Sequence, residues 1–248
     1  MNKFDKKSAI VWTFMGMLIY QNFDFATPAR IQPNVQKVNE SVRTEHAREL
    51  LGGSFRGSAA ERAGRAQLNM AIFDQFKHRL PEKDKWQAST LSNLVIEESS
   101  RYGLDPVFIM AVIAQESGFR PNAVGPVGEI GLMQLRPSTA EWIATRSGYH
   151  FWGAQTLYHP FVNIKLGIAY VANLRYSFSG RASQYVSAYN IGARNVRRLA
   201  AVQRMPRTYN LQVMKKYQDM YASFGQTRPQ VIVAKNMVSP YTLTHWVH

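Results

Sequence analysis

The chain has 248 residues with 46% hydrophobic content, enough to bury one good core and a smaller appendage. It contains no cysteine, which excludes disulfides, a thiol nucleophile and a lipid-modified cysteine. The net charge is +14, and the segment from Arg120 to Lys216 holds thirteen basic residues but only two acidic ones, so we expect this part to attract a polyanion.

The N-terminus has the charge pattern of an export signal. Three lysines in the first seven residues precede an apolar stretch, residues 9–20, and small residues follow at Ala26, Thr27 and Ala29. The uncharged span, residues 8–23, is shorter than the ~20 residues that cross a bilayer comfortably. We predict that residues 1–29 are a signal peptide or a short N-terminal anchor, with any membrane attachment through residues 9–23. The protein is then exported, and is periplasmic or in the cell envelope.

Residues 30–85 are predicted to be a polar linker followed by a helical extension. The segment 30–44 is polar and poor in large apolar residues, which is typical of a linker or a loosely packed arm. A short helix is predicted at Glu45–Leu51, before two glycines. Helical spacing of apolar residues predicts a longer helix at Ala59–Arg79, which ends before Pro81 and packs against the rest of the protein.

One carboxylate occupies an unusual position on a predicted helix. Asp105 is a good N-cap and Pro106 suits the first helical position, while Gly118 can end the helix. Glu116 continues the apolar stripe of this helix, where a charged group is costly. Burial and the negative end of the helix dipole both raise a carboxyl pKa, as a general acid requires. The alternative is a helix-end glutamate that turns to solvent.

The segment after Glu116 is predicted to be a loop that approaches a ligand. Four glycines and two prolines in residues 116–134 prevent a continuous helix or strand, and Gln134 offers a donor and an acceptor. A second polar cluster follows at residues 187–192. There we expect Tyr189 to hold the Glu116 carboxyl by a hydrogen bond, and Asn190 to bind an amide or hydroxyl of a ligand.

The remaining pattern predicts a mainly α fold. Alternating apolar and polar residues are scarce, and only residues 231–234 look like a strand, or are simply tail. The six histidines show no paired metal spacing, so neither a metal nor a cofactor is expected. Further helices are predicted at Gln87–Tyr102, Pro106–Ser117, Pro137–Arg146, Phe161–Ser177, Arg181–Asn190, Ala193–Ala201 and Thr208–Phe224.

Three short motifs, Glu116-Ser117, Gly131-Leu-Met-Gln134 and Ala188-Tyr189-Asn190, resemble the signatures of the family 1 lytic transglycosylases. These enzymes have the soluble lytic transglycosylase, or goose-lysozyme-like, catalytic domain. The intervals of 15 residues from Glu116 to Gly131 and 73 to Tyr189 match that family. Further matches include Asn163, Gly167, Tyr170 and Tyr209. The chain departs from the family at Gly125, where serine is common, and at Glu129, where alanine is common.

The resemblance implies a lysozyme-like helical catalytic domain at residues 86–224, with the N-terminal helical extension before it and a C-terminal tail at 225–248. It implies cleavage of the MurNAc-GlcNAc β-1,4 bond of peptidoglycan without water, which leaves 1,6-anhydro-MurNAc ends. Glu116 is then the catalytic residue. The implied substrate-binding residues are Ser117, Gly131, Leu132, Met133, Gln134, Tyr189 and Asn190.

The resemblance implies peptidoglycan glycan strands as the partner, and the muramyl and peptide carboxylates of peptidoglycan suit a basic domain. Nucleic acid is not expected, since the sequence lacks a Lys/Arg-rich run and an RNA-binding aromatic motif. Two alternatives to a transglycosylase stay open: a hydrolytic muramidase in which Glu129 or Glu141 positions a water, and an inactive wall-binding scaffold. The oligomeric state, and endo or exo cleavage, are left open.

Overall fold

The structure is a computed structural model, and it describes residues 37–226. The predicted signal peptide or anchor, the first seven residues of the predicted linker (30–36) and the strand-like residues 231–234 lie outside the described residues. Between residues 37 and 226, no helix is both long and apolar enough to cross a membrane.

The described chain folds into ten α-helices joined by turns and three short 3-10 segments at Gly52–Phe55, Glu82–Gln87 and Ala154–Tyr158. Its β structure is limited to isolated bridges of Ile130 with Val124 and Leu135. The prediction of a mainly α fold is therefore confirmed. The helices are α1 (Glu40–Leu51), α2 (Ala59–Arg62), α3 (Arg65–Arg79), α4 (Ala88–Arg101), α5 (Pro106–Glu116), α6 (Pro137–Ser147), α7 (Pro160–Ser177), α8 (Ala182–Ile191), α9 (Ala193–Ala201) and α10 (Thr208–Gln226).

The predicted start of the first helix was wrong by five residues. Helix α1 begins at Glu40, because the Asn39 side chain accepts a hydrogen bond from the amide of Val42 and caps the helix. Arg43, which we assigned to the linker, is only 2% exposed and donates a hydrogen bond to the carbonyl of Ala60. A buried arginine with distant partners leaves no apolar pattern in the sequence, so the helix was missed there.

The predicted helix at 59–79 is two helices. Helix α2 ends at Arg62, and α3 begins at Arg65 after extended residues at Ala63 and Gly64. Helix α3 packs against α4 through a face that includes Leu68, Ile72 and Phe76. The predicted packing of this segment against the rest of the protein is therefore confirmed.

Helix α5 lies in the middle of the core rather than at its edge. Its residues from Pro106 to Ile113 are all buried, so its apolar surface is continuous and not a single stripe. Helices α3, α4 and α10 pack around it, and α10 makes the most extensive contact. A smaller apolar cluster packs α6 against α7. Glu116 therefore lies at the end of a helix that is buried in the core.

Candidate active site

The start of α5 is fixed as the sequence predicts. Asp105 is fully buried, and its carboxylate accepts a hydrogen bond of 2.9 Å from the amide of Val107. The hydroxyls of Tyr217 and Tyr221 each donate to its other oxygen at 2.7 Å. Burial raises the pKa of Asp105 to about 6, although these hydrogen bonds oppose the rise.

At the other end of α5, Glu116 is partly buried and its carboxyl accepts a hydrogen bond from the Tyr209 hydroxyl. Loss of contact with water raises the pKa of Glu116 to about 7, an increase that the Tyr209 hydrogen bond moderates and the negative charge of Glu129 reinforces. A carboxyl with this pKa can both give and take a proton near neutral pH.

The prediction that the Tyr189 hydroxyl holds the Glu116 carboxyl was wrong. The Tyr189 hydroxyl donates a 2.7 Å hydrogen bond to the carbonyl of Met133. Tyr209 at the start of α10 takes the expected role. The sequence contained Tyr209 only as one of the weaker family matches, and its spacing from Glu116 gave no sign of the contact.

The loop after Glu116 is attached to α5 by Ser117. The Ser117 hydroxyl donates to the carbonyl of Leu132 at 2.8 Å and to that of Ile113 at 3.2 Å, and the residue is 1% exposed. Leu132 and Met133 are also buried. These side chains therefore lie inside the protein, and the surface that this part of the loop offers is mainly backbone.

Asn163 on α7 organises the same loop from the opposite side. Its side chain accepts from the amide of Met133 at 2.7 Å and donates to the carbonyls of Ile130 and Leu157 at 2.8 and 3.0 Å. Gly131 has a φ of +82° and lies so close to Asn163 that a Cβ at this position would overlap its amide. The Gly131–Gln134 turn therefore depends on a residue about 30 positions later in the chain.

Two polar residues of the predicted site remain nearer the surface. Gln134 is partly buried, and its amide nitrogen donates to the carbonyls of Ala123 and Gly131 at 3.0 and 2.9 Å. Asn190 is exposed and directly follows Tyr189 at the end of α8. The structure thus brings the loop, Ser117 and Tyr189 together, with Asn190 at the edge.

Glu129 is held in an ion pair. Its carboxylate accepts hydrogen bonds from Arg136 at 2.9 Å and from the amide of Val127 at 3.1 Å. Partial burial alone would raise the pKa of Glu129, but backbone amides and Arg136 outweigh this effect and lower it. A Cβ at Gly125 would lie 2.5 Å from the Glu129 carboxylate. Gly125 and Glu129, the two residues that depart from the family pattern, are therefore in direct contact.

Glu141, the other acidic residue that we considered as a base, is exposed on α6 and, in the described part of the chain, has no ion pair like that of Glu129 with Arg136. Within residues 37–226, no group of three or more histidine, cysteine or acidic side chains is arranged to hold a metal ion.

Part of the chain is similar to a known protein family. The family described as "Transglycosylase SLT domain" matches residues 93–212. A Haemophilus influenzae protein, provisionally named a soluble lytic murein transglycosylase, is 33% identical over 132 residues, which are 53% of this chain and 21% of that protein. The membrane-bound lytic murein transglycosylase C of Actinobacillus pleuropneumoniae is 38% identical over 109 residues, covering 40% of this chain and 30% of the relative.

Among solved structures, an inactive variant of the lytic transglycosylase Slt of Pseudomonas aeruginosa aligns with 86% of this chain and 41% of its own, at 25% identity and a TM-score of 0.46. The chain spans less than a third of the length of the two relatives above. The resemblance of the sequence to lytic transglycosylases is confirmed, because residues 93–212 match the transglycosylase SLT domain family.

Proposed function

We propose that the protein is a peptidoglycan lytic transglycosylase, a carbon-oxygen lyase that cleaves the MurNAc-GlcNAc β-1,4 bond and leaves a 1,6-anhydro-MurNAc end. The observation that carries the proposal is Glu116, whose burial raises its pKa to about 7 and whose carboxyl is held by Tyr209. The SLT domain match and the names of the relatives support the same reaction class.

In the first step, protonated Glu116 gives its proton to the oxygen that links the two sugars. The bond from this oxygen to the muramoyl C1 breaks, and the muramoyl 2-acetamido group stabilises the positive charge that develops on the sugar. A glutamic acid with a pKa near 7 suits this step, because a large fraction is protonated at neutral pH.

In the second step, the Glu116 carboxylate takes the proton of the muramoyl C6 hydroxyl as that oxygen bonds to C1. The Tyr209 hydroxyl stabilises the carboxylate between the steps, since it donates to the charged form. The reaction needs one carboxylate, because the substrate supplies its own nucleophile. An intramolecular hydroxyl also has a high effective concentration once it is positioned.

We assign substrate contacts to the loop and to the end of α8. The Gln134 side chain oxygen and Asn190 are proposed to hold acetamido and hydroxyl groups, and the backbone of Gly131, Leu132 and Met133 to line the floor. Tyr189 acts beside the substrate and also fixes the Met133 carbonyl. Ser117 contributes by attaching the loop to α5, because its hydroxyl is already bonded to the Leu132 carbonyl.

The two alternatives have less support. A hydrolytic muramidase needs a second carboxylate as base, and Glu129 is tied to Arg136 with a lowered pKa, which weakens it as a base. A binding scaffold has no use for a partly buried carboxyl with a raised pKa, which is unfavourable for stability.

The product separates these functions. Digestion of purified peptidoglycan in ¹⁸O-water should release muramoyl ends that carry no label and no reducing end, and Glu116→Gln should release none. Label at C1 in most ends would mean that water attacks and would replace this proposal by a muramidase. No release by the parent protein would favour a scaffold.

We further propose that the protein acts in the cell envelope after export, because its substrate lies outside the cytoplasm. Any attachment to the membrane would use residues 9–23, outside the described residues. Residues 1–35 fused to a reporter that is active only outside the cytoplasm should give signal, and a silent reporter would contradict export.

A further inference from the structure

An open groove of about 620 Å³ lies between α6, α7 and α9. It begins beside the proposed active site, because Tyr170 in its wall contacts the Tyr189 ring with centroids 5.3 Å apart. Tyr189 in turn bonds to the Met133 carbonyl. A polymer bound at Glu116 therefore has this groove as a neighbour.

The walls of the groove carry positive charge on both sides. Arg146 lies on α6 and Arg197 on α9, and none of the residues that line the groove is acidic. The Arg146 guanidinium lies 4.7 Å from the centroid of the Trp142 ring, and that of Arg197 lies 5.3 Å from the centroid of Phe178. In the part of the chain that the structure describes, neither guanidinium forms a salt bridge with a carboxylate. Both cations are thus oriented by aromatic rings and available to an anion.

We propose that this groove binds the acidic stem peptide of a peptidoglycan strand, with peptide carboxylates on Arg146 and Arg197. The inference rests on the proposed function and adds a second recognition element to it. Charge favours a stem peptide over the sugar backbone, because the backbone is neutral apart from the groups that carry the stems. Arg146 also covers one face of Trp142, the surface that a sugar would need for stacking.

Guanidinium groups suit this task, since each can donate two parallel hydrogen bonds to one carboxylate. Opposite walls that each supply one arginine would hold a peptide with two separated carboxylates along the groove. Because both arginines are exposed, their effect should weaken as salt screens the charges.

The test compares two substrates with the full-length protein. Intact peptidoglycan carries stems, whereas amidase-treated glycan has lost them. The double variant Arg146→Gln/Arg197→Gln should lose about tenfold in kcat/KM on the intact polymer and less than twofold on the treated glycan. The matched control, Arg56→Gln/Arg65→Gln, removes two exposed charges far from the groove in sequence and should leave both values unchanged. Raising the salt concentration should reduce the preference of the parent protein for stems.

Equal losses on both substrates would overturn the proposal and indicate glycan binding or structural support. A double variant that behaves like the control would also overturn it. If the parent protein cleaves neither substrate, the proposed function fails and the groove is tested by binding alone. A fluorescent stem tripeptide, L-Ala–D-Glu–diaminopimelate, should then bind the parent and the control about tenfold more tightly than the double variant. Stem recognition would be refuted if the tripeptide did not bind the parent protein. It would also be refuted if the double variant lost its affinity for a single-stranded DNA probe by the same factor as its affinity for the tripeptide.

Discussion

The hydrogen bond from Tyr209 to Glu116 makes a specific prediction about pH dependence. Tyr209→Phe removes the hydroxyl and keeps the ring, so packing around the start of α10 should change little. The bond favours the ionised form of Glu116 and lowers its pKa relative to burial alone. Its loss should therefore raise the pKa of Glu116 above its present value of about 7.

The size of the effect follows from the energy of a hydrogen bond to a charged group, about 1.5–3 kcal/mol. One pKa unit corresponds to about 1.36 kcal/mol, so the shift should be about one to two units upward. The alkaline limb of kcat/KM, which reports ionisation of the acid, should move by this amount. The plateau rate should fall by about tenfold to a hundredfold, because the transition state places negative charge on the same carboxyl.

The assay is the pH–rate profile for release of anhydromuropeptides from purified peptidoglycan, and Tyr189→Phe is the comparator. The Tyr189 hydroxyl contacts the Met133 carbonyl rather than Glu116, so its loss should move the alkaline limb much less. Thermal unfolding of both variants checks that the fold is intact. An unmoved limb in Tyr209→Phe, or a larger shift in Tyr189→Phe, would refute our assignment of the tyrosine partner.

Three other substitutions test the rest of the site. Glu116→Gln should abolish activity and should stabilise the fold only at higher pH. The pKa of the carboxyl rises from 4.5 in the unfolded chain to about 7 in the folded protein. Its ionisation therefore leaves the free energy of unfolding unchanged below pH 4 and lowers it by up to about 3 kcal/mol above pH 7. Denaturant unfolding at pH 4 and pH 8 measures this, and equal stabilisation at both would contradict it. Glu129→Gln removes a negative charge that raises the Glu116 pKa, so the alkaline limb should move downward, whereas Glu141→Gln should leave it in place. Asn163→Ala leaves buried backbone groups unpaired and should lower the free energy of unfolding by about 3–5 kcal/mol, and a loss below about 1 kcal/mol in urea would show that the loop rearranges.

Local signals were sufficient to predict helix α5, which ends at the proposed catalytic residue Glu116. Asp105 and Pro106 determine where α5 begins, and Gly118 comes directly after the residue that caps its C-terminal end. Neighbouring residues therefore determine both ends of the helix. The position of Glu116 at the end of a buried helix followed from the same pattern. Most other helix bounds were predictable because apolar spacing and glycine or proline act over a few residues.

Contacts between distant residues were not predictable in this way. The sequence predicted Tyr189 as the partner of Glu116, whereas the packing of α10 against α5 brings Tyr209 to that carboxyl instead. The buried His46 is a second case: it accepts a 2.8 Å hydrogen bond from the amide of Asp105, 59 residues away. A polar residue that is buried by such a contact looks, in the sequence, like one that faces solvent.

Helix α10 contacts both ends of α5, and this explains how the proposed acid, Glu116, is aligned. Its first turn brings Tyr209 to Glu116, and later turns bring Tyr217 and Tyr221 to Asp105, so the two helices run antiparallel. The distance between the anchors is roughly two to three helical turns in each helix, at about 1.5 Å per residue. A shift of α10 along α5 would therefore break the hydrogen bonds at both ends together.

The N-terminal extension contacts helix α10 at one of the tyrosines that hold Asp105. Tyr221 also accepts a hydrogen bond from the buried Arg43 of α1, at 3.1 Å. Arg43, Tyr221 and Asp105 thus form a chain of buried polar groups that connects α1 to the start of α5 through α10. Leaving any of these groups unpaired costs about 1–3 kcal/mol, and more if it is charged. Since Asp105 begins the helix that ends at Glu116, Arg43, which precedes the SLT match at residues 93–212, helps to hold the proposed acid in place.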